Sequence, residues 1–366
     1  MRSPGLLSLV LFIVFTICLF ILFIGYADWL AGEWQIQILR VGWAGLVFTI
    51  LYLIFAGTYH IISSVFSYLF QKRKIYKTSD TEKAVVDRRL FLSRSLQGGL
   101  IFLSAGLTGN AWLNAAELPV ARVVPIQIKG LPEDLDGFRI VHLTDIHADT
   151  YTSYEWMDAI VAIAKSLAPD LITVTGDLAD GWVERMSSIV RPLSRLSAPH
   201  GCYFVTGNHE YSTGAGGVER WISHLKHLGF DVLLNEHRVI TRGKGTVLLG
   251  GVTDYNAVYS VPDHISLPSA AILGGPPVDV SVLLAHQPKS IYQAAEAGFD
   301  IQLSGHTHGG QIFPGHILMA ITQPFLKGLH RYRNTQIYVN QGAGCWGPKI
   351  RLGSTAEIAA IVLSTV

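Results

Sequence analysis

Between residues 138 and 308, five short apolar segments each end in metal-ligating side chains, and this repetition restricts the fold more than any other feature. Apolar segments with the length of buried strands occur at 138–143, 171–174, 202–205, 280–285 and 300–303. Later strands are predicted at 246–250, 337–340 and 358–363. Amphipathic segments predict helices at 154–167, 182–196, 218–228 and 290–297. Alternating strands and helices indicate an α/β fold whose strands are buried on both faces.

The polar groups follow the strands directly. In chain order they are Asp145-x-His147, Gly176-Asp177, Gly207-Asn208-His209-Glu210, His286 and Gly305-His306-Thr307-His308. Ligands of open α/β sheets bind beyond the carboxyl ends of the strands, so we expect these groups to converge at one edge of the fold. Asp145 and His147 are two residues apart, so both side chains face the same side if the backbone stays extended.

These residue types form a mixed nitrogen and oxygen ligand set. Such a set suits borderline divalent metals such as Mn, Fe or Zn, and it lacks the thiolates of a structural zinc site. Six or seven candidate ligands are too many for one catalytic ion that keeps open positions. Two ions that share a bridging carboxylate fit better, because two ions ~3.5–4 Å apart can hold both the attacking and the leaving oxygen of a displacement.

The ordered set D-x-H, G-D, G-N-H-E, H and G-H-x-H resembles the calcineurin-like metallophosphoesterase family over about residues 138–363. The stretches His308-Gly309-Gly310-Gln311 and Ile350-Arg351-Leu352-Gly353 resemble its YkuE-like branch. The resemblance implies an α/β fold, a four-layer α-β-β-α metallophosphoesterase sandwich, preceded here by two or three transmembrane helices.

The same resemblance implies a role for each motif residue. One metal ion would be held by Asp145, His147, Asp177 and His308. The second, bridged by Asp177, would be held also by Asn208, His286 and His306. A metal-bridging hydroxide would attack phosphorus. His209 would be the histidine that is not a ligand and that stabilises the transition state or protonates the leaving oxygen.

The expected function is therefore hydrolysis of a phosphomonoester or phosphodiester, with a lipid-linked phosphoester as one candidate substrate. Two alternatives stay open. One is a pyrophosphate hydrolase of the UDP-diacylglucosamine type, and the other is a binding module that uses the metallophosphoesterase fold without catalysis. The expected partners are the lipid bilayer and a phosphoester substrate. Only 15% of the residues are charged, which excludes a protein that coats nucleic acid.

The first third of the chain has the composition of a membrane anchor. No charged residue occurs at 5–27 or at 41–71, and each segment is long enough to cross a bilayer core of ~30 Å. We therefore predict two transmembrane helices within 1–71. Eight Lys and Arg residues follow at 72–94, and the positive-inside rule places this basic loop in the cytoplasm.

A third hydrophobic segment, 95–116, separates the basic loop from the catalytic domain at 117–366. Asp87-Arg88-Arg89-Leu90-Phe91-Leu92 resembles the start of a twin-arginine translocation signal, and the alternative is a third membrane helix. Both readings predict a multi-pass protein of the inner, cytoplasmic membrane with its catalytic domain on the periplasmic or extracytoplasmic side.

Two features near the C-terminus have less specific interpretations. The glycine-rich stretch 342–347 follows a predicted strand and is interpreted as a loop at the rim of the site. Arg331, Arg333 and Arg351 are candidates to contact a substrate phosphate, although arginines at such positions are more often solvated.

Overall fold

The fold comes from a computed structural model that describes residues 13–22, 33–70 and 79–366. The chain divides into two units, Met1–Leu113 and Asn114–Val366. The helices are α1 (Ile13–Leu22), α2 (Glu33–Phe70), α3 (Ser79–Ala116), α4 (Tyr154–Ser166), α5 (Val183–Val190), α6 (Ala215–His227), α7 (Pro268–Ile272), α8 (Ile291–Ala297) and α9 (Gly315–Thr322). The strands are β1 (Val120–Ile128), β2 (Arg139–Leu143), β3 (Leu171–Thr175), β4 (Cys202–Val205), β5 (Asp231–Val232), β6 (Glu236–Arg242), β7 (Gly245–Gly251), β8 (Val280–Leu284), β9 (Ile301–Ser304), β10 (Gly328–Tyr332), β11 (Thr335–Val339) and β12 (Glu357–Thr365).

The first unit is helical, and among the described residues one helix is long and apolar enough to cross a membrane. This stretch is Gln37–Leu69 within α2. Helix α1 packs against α2 at a glycine, since a Cβ atom on Gly45 would lie 2.5 Å from the Sγ atom of Cys18. Small residues at such points allow two helices to approach closely.

The other two expected spans differ from the prediction in extent. The described part of segment 5–27 is the short apolar helix α1, and the rest lies outside the described residues. Segment 95–116 forms the second half of α3, which does not reach the apolarity of a spanning helix because Gly, Ser, Thr and Asn interrupt it. The part of the basic segment from Ser79 onward is helical and belongs to α3.

The second unit contains two six-stranded sheets. Sheet I has the order β1-β12-β2-β3-β4-β5, and sheet II has the order β10-β11-β9-β8-β7-β6. Within sheet I, β2 to β5 are parallel to one another, and within sheet II, β7, β8, β9 and β11 are parallel. Parallel strands need crossover connections, and helices supply most of them.

Three hydrophobic clusters show that the layers are stacked as helix, sheet, sheet and helix. Ile140 and Leu171 of sheet I pack against Val282 of sheet II in the central cluster. The outer face of sheet I is covered by α4, α5 and α6, and that of sheet II by α7 and α8. The predicted α-β-β-α sandwich is therefore confirmed.

Local sequence explains where the predicted elements differ from those observed. The helix expected at 182–196 ends at Val190 and continues as a 3₁₀ turn, because Pro192 has no backbone N–H for an α-helical hydrogen bond. Helix α4 begins where expected, since the side chain of Ser153 accepts a hydrogen bond from the backbone N–H of Trp156. Strands β1, β5, β6 and β10 and helices α7 and α9 were not predicted.

Candidate metal centre

The predicted ligand residues lie on loops that follow five strands. The loops after β2, β3 and β4 carry Asp145, His147, Asp177, Asn208 and His209. The loops after β8 and β9 carry His286, His306 and His308. These strands are neighbours within sheets I and II, so their carboxyl ends lie along one edge of the sandwich.

The loops after β2, β3 and β9 contain left-handed residues. Positive φ angles occur at Asp145 (50°), His147 (45°), Asp177 (54°), His306 (71°) and His308 (49°). The extended backbone that would have placed Asp145 and His147 on the same side is therefore not present, because two left-handed residues turn the chain there. Residues with side chains rarely adopt this conformation, and such strain concentrates at functional sites.

Glycines allow the loops of the site to approach one another closely. A Cβ atom on Gly176 would lie 2.2 Å from the backbone nitrogen of Gly207, and one on Gly305 would lie 2.1 Å from Oδ2 of Asp145. Neither position accepts a side chain without displacing a loop that carries candidate ligands.

One group of candidate ligands consists of Asp145, His147 and His308, whose ligand atoms all lie within 4.8 Å of one another. The Nε2 atoms of His147 and His308 are 3.1 Å apart, and Nε2 of His308 lies 3.3 Å from Oδ1 of Asp145. All three side chains are buried.

A second group consists of Asp177, His286 and His306. Nε2 of His286 lies 3.2 Å from Oδ2 of Asp177, from Nδ1 of His306 and from Oδ1 of Asn208. Oδ2 of Asp177 also lies 3.6 Å from Nε2 of His147, in the first group. The structure thus brings all seven predicted ligand residues together, with Asp177 between the two groups.

The candidate ligand atoms have lone pairs available to bind divalent metal ions. Oδ1 of Asp145 is buried and has no hydrogen-bond partner. Imidazole nitrogens face each other in both groups, and two facing nitrogens need a proton or a cation between them. The second nitrogen of two rings is already engaged: Nδ1 of His147 contacts Oδ1 of Asp180 at 2.8 Å, and Nδ1 of His286 contacts the carbonyl oxygen of Thr175 at 2.7 Å. Such contacts fix the tautomer that leaves Nε2 for a metal.

The electrostatics of the site favour this use. Burial lowers the pKa of His306 to about 3 and that of His308 to about 4, so both rings are neutral, as metal ligands must be. Burial would raise the pKa of Asp145, but the neighbouring imidazoles, that of His308 first, hold it well below its usual range. Burial likewise opposes charge on His286, yet Asp177 raises its pKa well above the usual value. The site therefore favours a positive charge at Nε2 of His286, next to Asp177.

His209 lies beside both groups and is held by a carboxylate that the sequence reasoning missed. Its Nδ1 atom is 2.7 Å from Oδ1 of Asp180, the oxygen that also contacts His147. His209, His147 and Asp177 form a further set of atoms within 4.8 Å. Burial opposes protonation of His209, but the bond to Asp180 and the charge of Asp177 raise its pKa to about 9. The only sequence signal for Asp180 was its position three residues after Asp177.

Glu210 is buried and bonds to the backbone of two ligand loops. Its carboxylate accepts hydrogen bonds from the backbone N–H groups of Gly207 (2.6 Å), Asp177 (3.0 Å) and Leu178 (2.8 Å). Burial, followed by the charge of Asp177, raises the pKa of Glu210 to about 7. Glu210 thus ties the loop after β3 to the loop after β4.

The glycine-rich loop after β11 packs closely against the loop that carries Asp145. A Cβ atom on Gly342 would lie 2.7 Å from Cβ of Asp145, and one on Gly344 would lie 1.8 Å from the carbonyl oxygen of Ile146. The interpretation of Arg351 as a phosphate contact or a solvated residue is wrong. Its side chain is fully buried and donates to the carbonyl oxygens of Gln341 (2.9 Å), Gly342 (3.1 Å) and Gly344. The Gly342 carbonyl also accepts from the backbone N–H of Glu357.

The fold and the site together define a class of protein: two stacked mixed sheets with a largely buried cluster of His, Asp and Asn side chains, suited to metal binding, at one edge. Residues 138–310 match the calcineurin-like phosphoesterase family. Over 281 residues the chain is 34% identical to a protein of Helicobacter pylori named "Uncharacterized metallophosphoesterase", covering 75% of this chain and 72% of that protein. Over 253 residues it is 30% identical to YkuE of Bacillus subtilis, covering 64% of this chain and 82% of that protein.

The chain therefore belongs to the calcineurin-like phosphoesterase family, and its relatives include YkuE as expected. It is also 37% identical over 270 residues to a Danio rerio protein named "Transmembrane protein with metallophosphoesterase domain". That match covers 72% of this chain, and the chain spans only 61% of the length of that relative.

Proposed function

We propose that this protein is a membrane-anchored phosphoester hydrolase that uses two divalent metal ions, of Mn, Fe or Zn. The proposed ligands are Asp145, His147, Asp177, Asn208, His286, His306 and His308. The observation that carries the proposal is the position of Asp177, whose Oδ2 lies 3.2 Å from Nε2 of His286 and 3.6 Å from Nε2 of His147. One carboxylate oxygen is therefore close to both groups, as a bridging ligand must be.

When bound, two such ions would supply Lewis-acid stabilisation of the phosphoryl oxygens and an activated water nucleophile. The residues of the chain supply orientation and proton transfer. Asp180 holds Nδ1 of His209, which leaves the Nε2 side of the ring to face a substrate. With a pKa raised to about 9, His209 is protonated at neutral pH and can donate its proton to the leaving oxygen.

The proposal includes an extracytoplasmic catalytic domain behind several membrane spans, with either a third helix or a twin-arginine signal at 95–116. Two observations support anchoring: the apolar stretch Gln37–Leu69 and the transmembrane name of the Danio rerio relative. The basic residues at 72–94 support the orientation. Reporter fusions after residues 80 and 130 test it, and a cytoplasmic signal at residue 130 would contradict it.

The catalytic part of the proposal is tested with Asp177→Asn. The full chain should hydrolyse a p-nitrophenyl phosphomonoester or phosphodiester with Mn²⁺, and chelation should abolish the activity. Asp177→Asn should reduce kcat/KM by more than the ~10–100-fold that loss of a hydrogen-bond partner of a metal ligand costs. The control is Asp158→Asn, which removes a carboxylate from a surface ion pair with Arg195.

Two results would contradict this proposal. Hydrolysis that survives both chelation and Asp177→Asn would mean that the seven residues do not form a catalytic metal centre. Metal content near zero in protein purified without chelator, together with no hydrolysis, would instead favour the binding-module alternative.

A further inference from the structure

Helix α9 is an apolar helix that lies on the surface. None of its side chains is buried, and Ile317, Leu318 and Ile321 are 55%, 71% and 76% exposed. Phe313, just before the helix, is also exposed. We name these four residues the α9 surface. Exposing several large apolar side chains together on one helix is unfavourable in water and marks a surface that contacts something apolar.

The chain around α9 also lacks charge. No Asp, Glu, Lys or Arg occurs from Gly309 to Leu326, and the next charged residue is Lys327. Charged residues normally alternate with apolar ones on a solvated helix. A stretch of this length without any charge is suited to contact with hydrocarbon and unsuited to contact with a polar partner.

The α9 surface is continuous with the candidate metal centre. His308 is followed directly by Gly309 and Gly310, and the backbone of Gly310 lies against α9, since a Cβ atom there would be 2.4 Å from Cβ of His316. Trp346, 55% exposed, is tied to the same turn, because its backbone N–H donates to Oε1 of Gln311 at 2.9 Å. The α9 surface therefore begins at Phe313, five residues after a predicted metal ligand.

A cation lies at the edge of the centre itself. Nζ of Lys349 is 3.3 Å from the carbonyl oxygen of His147 and 3.2 Å from Oδ2 of Asp149. Lys349 follows Trp346 by three residues, so positive charge and apolar surface succeed each other on one short loop. An anionic head group there would compete with Asp149 for Lys349, next to apolar surface that suits a hydrocarbon tail.

We propose that the α9 surface binds the hydrocarbon chain of a lipid phosphoester substrate whose phosphate group occupies the candidate metal centre. The inference rests on the proposed function and narrows its substrate class. The apolar stretch Gln37–Leu69 agrees with it, because a membrane anchor keeps the catalytic unit where such lipids are concentrated.

A second copy of the chain fits this surface less well. An eight-residue helix is about 12 Å long. A stable protein interface buries about 800 Å² on each partner, far more than one short helix offers. A single hydrocarbon chain is narrow enough to be contacted by one helix.

The test uses the full chain in phosphatidylcholine nanodiscs and a series of alkyl p-nitrophenyl phosphodiesters with methyl, butyl and octyl groups. The leaving group is constant, so only the chain changes. A fully buried methylene contributes about fourfold in binding. If three methylenes of the octyl group contact the α9 surface, kcat/KM should rise about sixtyfold from methyl to octyl.

The variant is the double substitution Leu318→Gln and Ile321→Gln, which keeps helix-forming residues at two exposed positions. Its matched control is Leu273→Gln, at a residue that is 78% exposed beyond the end of α7. The double variant should hydrolyse the methyl ester at the wild-type rate, and its methyl-to-octyl ratio should fall below about fivefold. Leu273→Gln should keep the wild-type ratio. Thermal unfolding checks that the double variant is folded. The single variant Leu318→Gln should give an intermediate methyl-to-octyl ratio.

Four results would overturn the inference. A wild-type enzyme that hydrolyses all three esters at equal rates has no chain-binding surface. An equal ratio in wild type and double variant means that partition into the disc alone produces the preference. If a folded double variant loses activity equally on all three esters, α9 contacts the bilayer and not the substrate chain. A dimer that dissociates in the double variant assigns the surface to a second copy. Failure of the wild type on the methyl ester in Mn²⁺, by contrast, counts against the proposed function itself.

Discussion

The side chain of Asp180 offers the sharpest test of how the candidate metal centre is organised. Its Oδ1 atom accepts from Nδ1 of His147 at 2.8 Å and from Nδ1 of His209 at 2.7 Å. One oxygen thus orients both a proposed metal ligand and the proposed proton donor. Asp180→Asn keeps the size of the side chain and removes its charge.

The expected loss follows from these two hydrogen bonds. A hydrogen bond to a charged group contributes about 1.5–3 kcal/mol and one between neutral groups about 0.5–1.5 kcal/mol. Loss of charge therefore costs about 1–1.5 kcal/mol for each bond, or about 2–3 kcal/mol for both. At 1.36 kcal/mol per factor of ten, kcat/KM should fall about 30- to 150-fold.

The two bonds have separate readouts. Weaker orientation of His147 should lower the apparent affinity for Mn²⁺ about tenfold, measured by titrating the apo-protein with metal. The loss at His209 should change the pH profile. The pKa of His209 is raised to about 9 by Asp180 and Asp177 against the effect of burial, and its protonated form is lost as pH rises through that value. In Asp180→Asn the activity should therefore be lost at lower pH than in the wild type.

Asp149→Asn is the matched control. Asp149 lies two residues after His147 and contacts Nζ of Lys349 at 3.2 Å, so the variant also removes one negative charge near the centre. It disturbs no imidazole that belongs to the proposed centre. If Asp180→Asn and Asp149→Asn have equal effects, or if Asp180→Asn leaves metal affinity and pH profile unchanged, the orienting role is refuted.

Two further predictions concern buried polar residues around the site. Arg351→Met should lower the free energy of unfolding in urea by about 2 kcal/mol or more, because the buried carbonyl oxygens of Gln341 and Gly344 lose their donor. Arg351→Lys should recover only part of this loss. Unchanged stability would contradict the role of the guanidinium. Burial lowers the pKa of His142 to about 3, so below pH 6.5 the unfolded state alone gains a proton and stability falls. His142→Gln removes this effect. Measured with chelator present, the free energy of unfolding of the wild type should fall by about 2 kcal/mol relative to that of the variant between pH 7 and pH 5. A difference that stays constant with pH would contradict this prediction.

The sequence was sufficient for the central strands and for the residues that follow them. Strand β4 was predicted with its observed bounds, because buried strands between helices are continuous apolar runs. Edge strands lack that signal. β6 carries Glu, His, Thr and Arg and is mostly not buried, and β1 contains a proline and is largely exposed, so neither resembles a buried strand.

Some features of the site depend on loop conformation and could not be predicted from patterning. The left-handed backbone at Asp145 and His147 has no signature in local propensity, so an extended backbone could be named only as a condition. The position of Asp180 depends on how the loop after β3 turns. Arg351 was misassigned because a buried arginine without a carboxylate partner is rare and has no sequence signature.

Two buried ionisable side chains, Glu210 and Arg351, help to fix the geometry of the loops around the centre. Glu210 accepts only backbone N–H groups, from the loops after β3 and β4, and Arg351 donates to backbone carbonyls of the loop after β11. A charged group bonded to several backbone groups fixes their relative positions more strongly than neutral contacts do. Because both residues bond to backbone, neither takes up a side-chain atom of the candidate ligands. Glu210 and Arg351 thus fix the loops after β3, β4 and β11. Helix α9, which follows the loop of His308, is by contrast apolar and exposed.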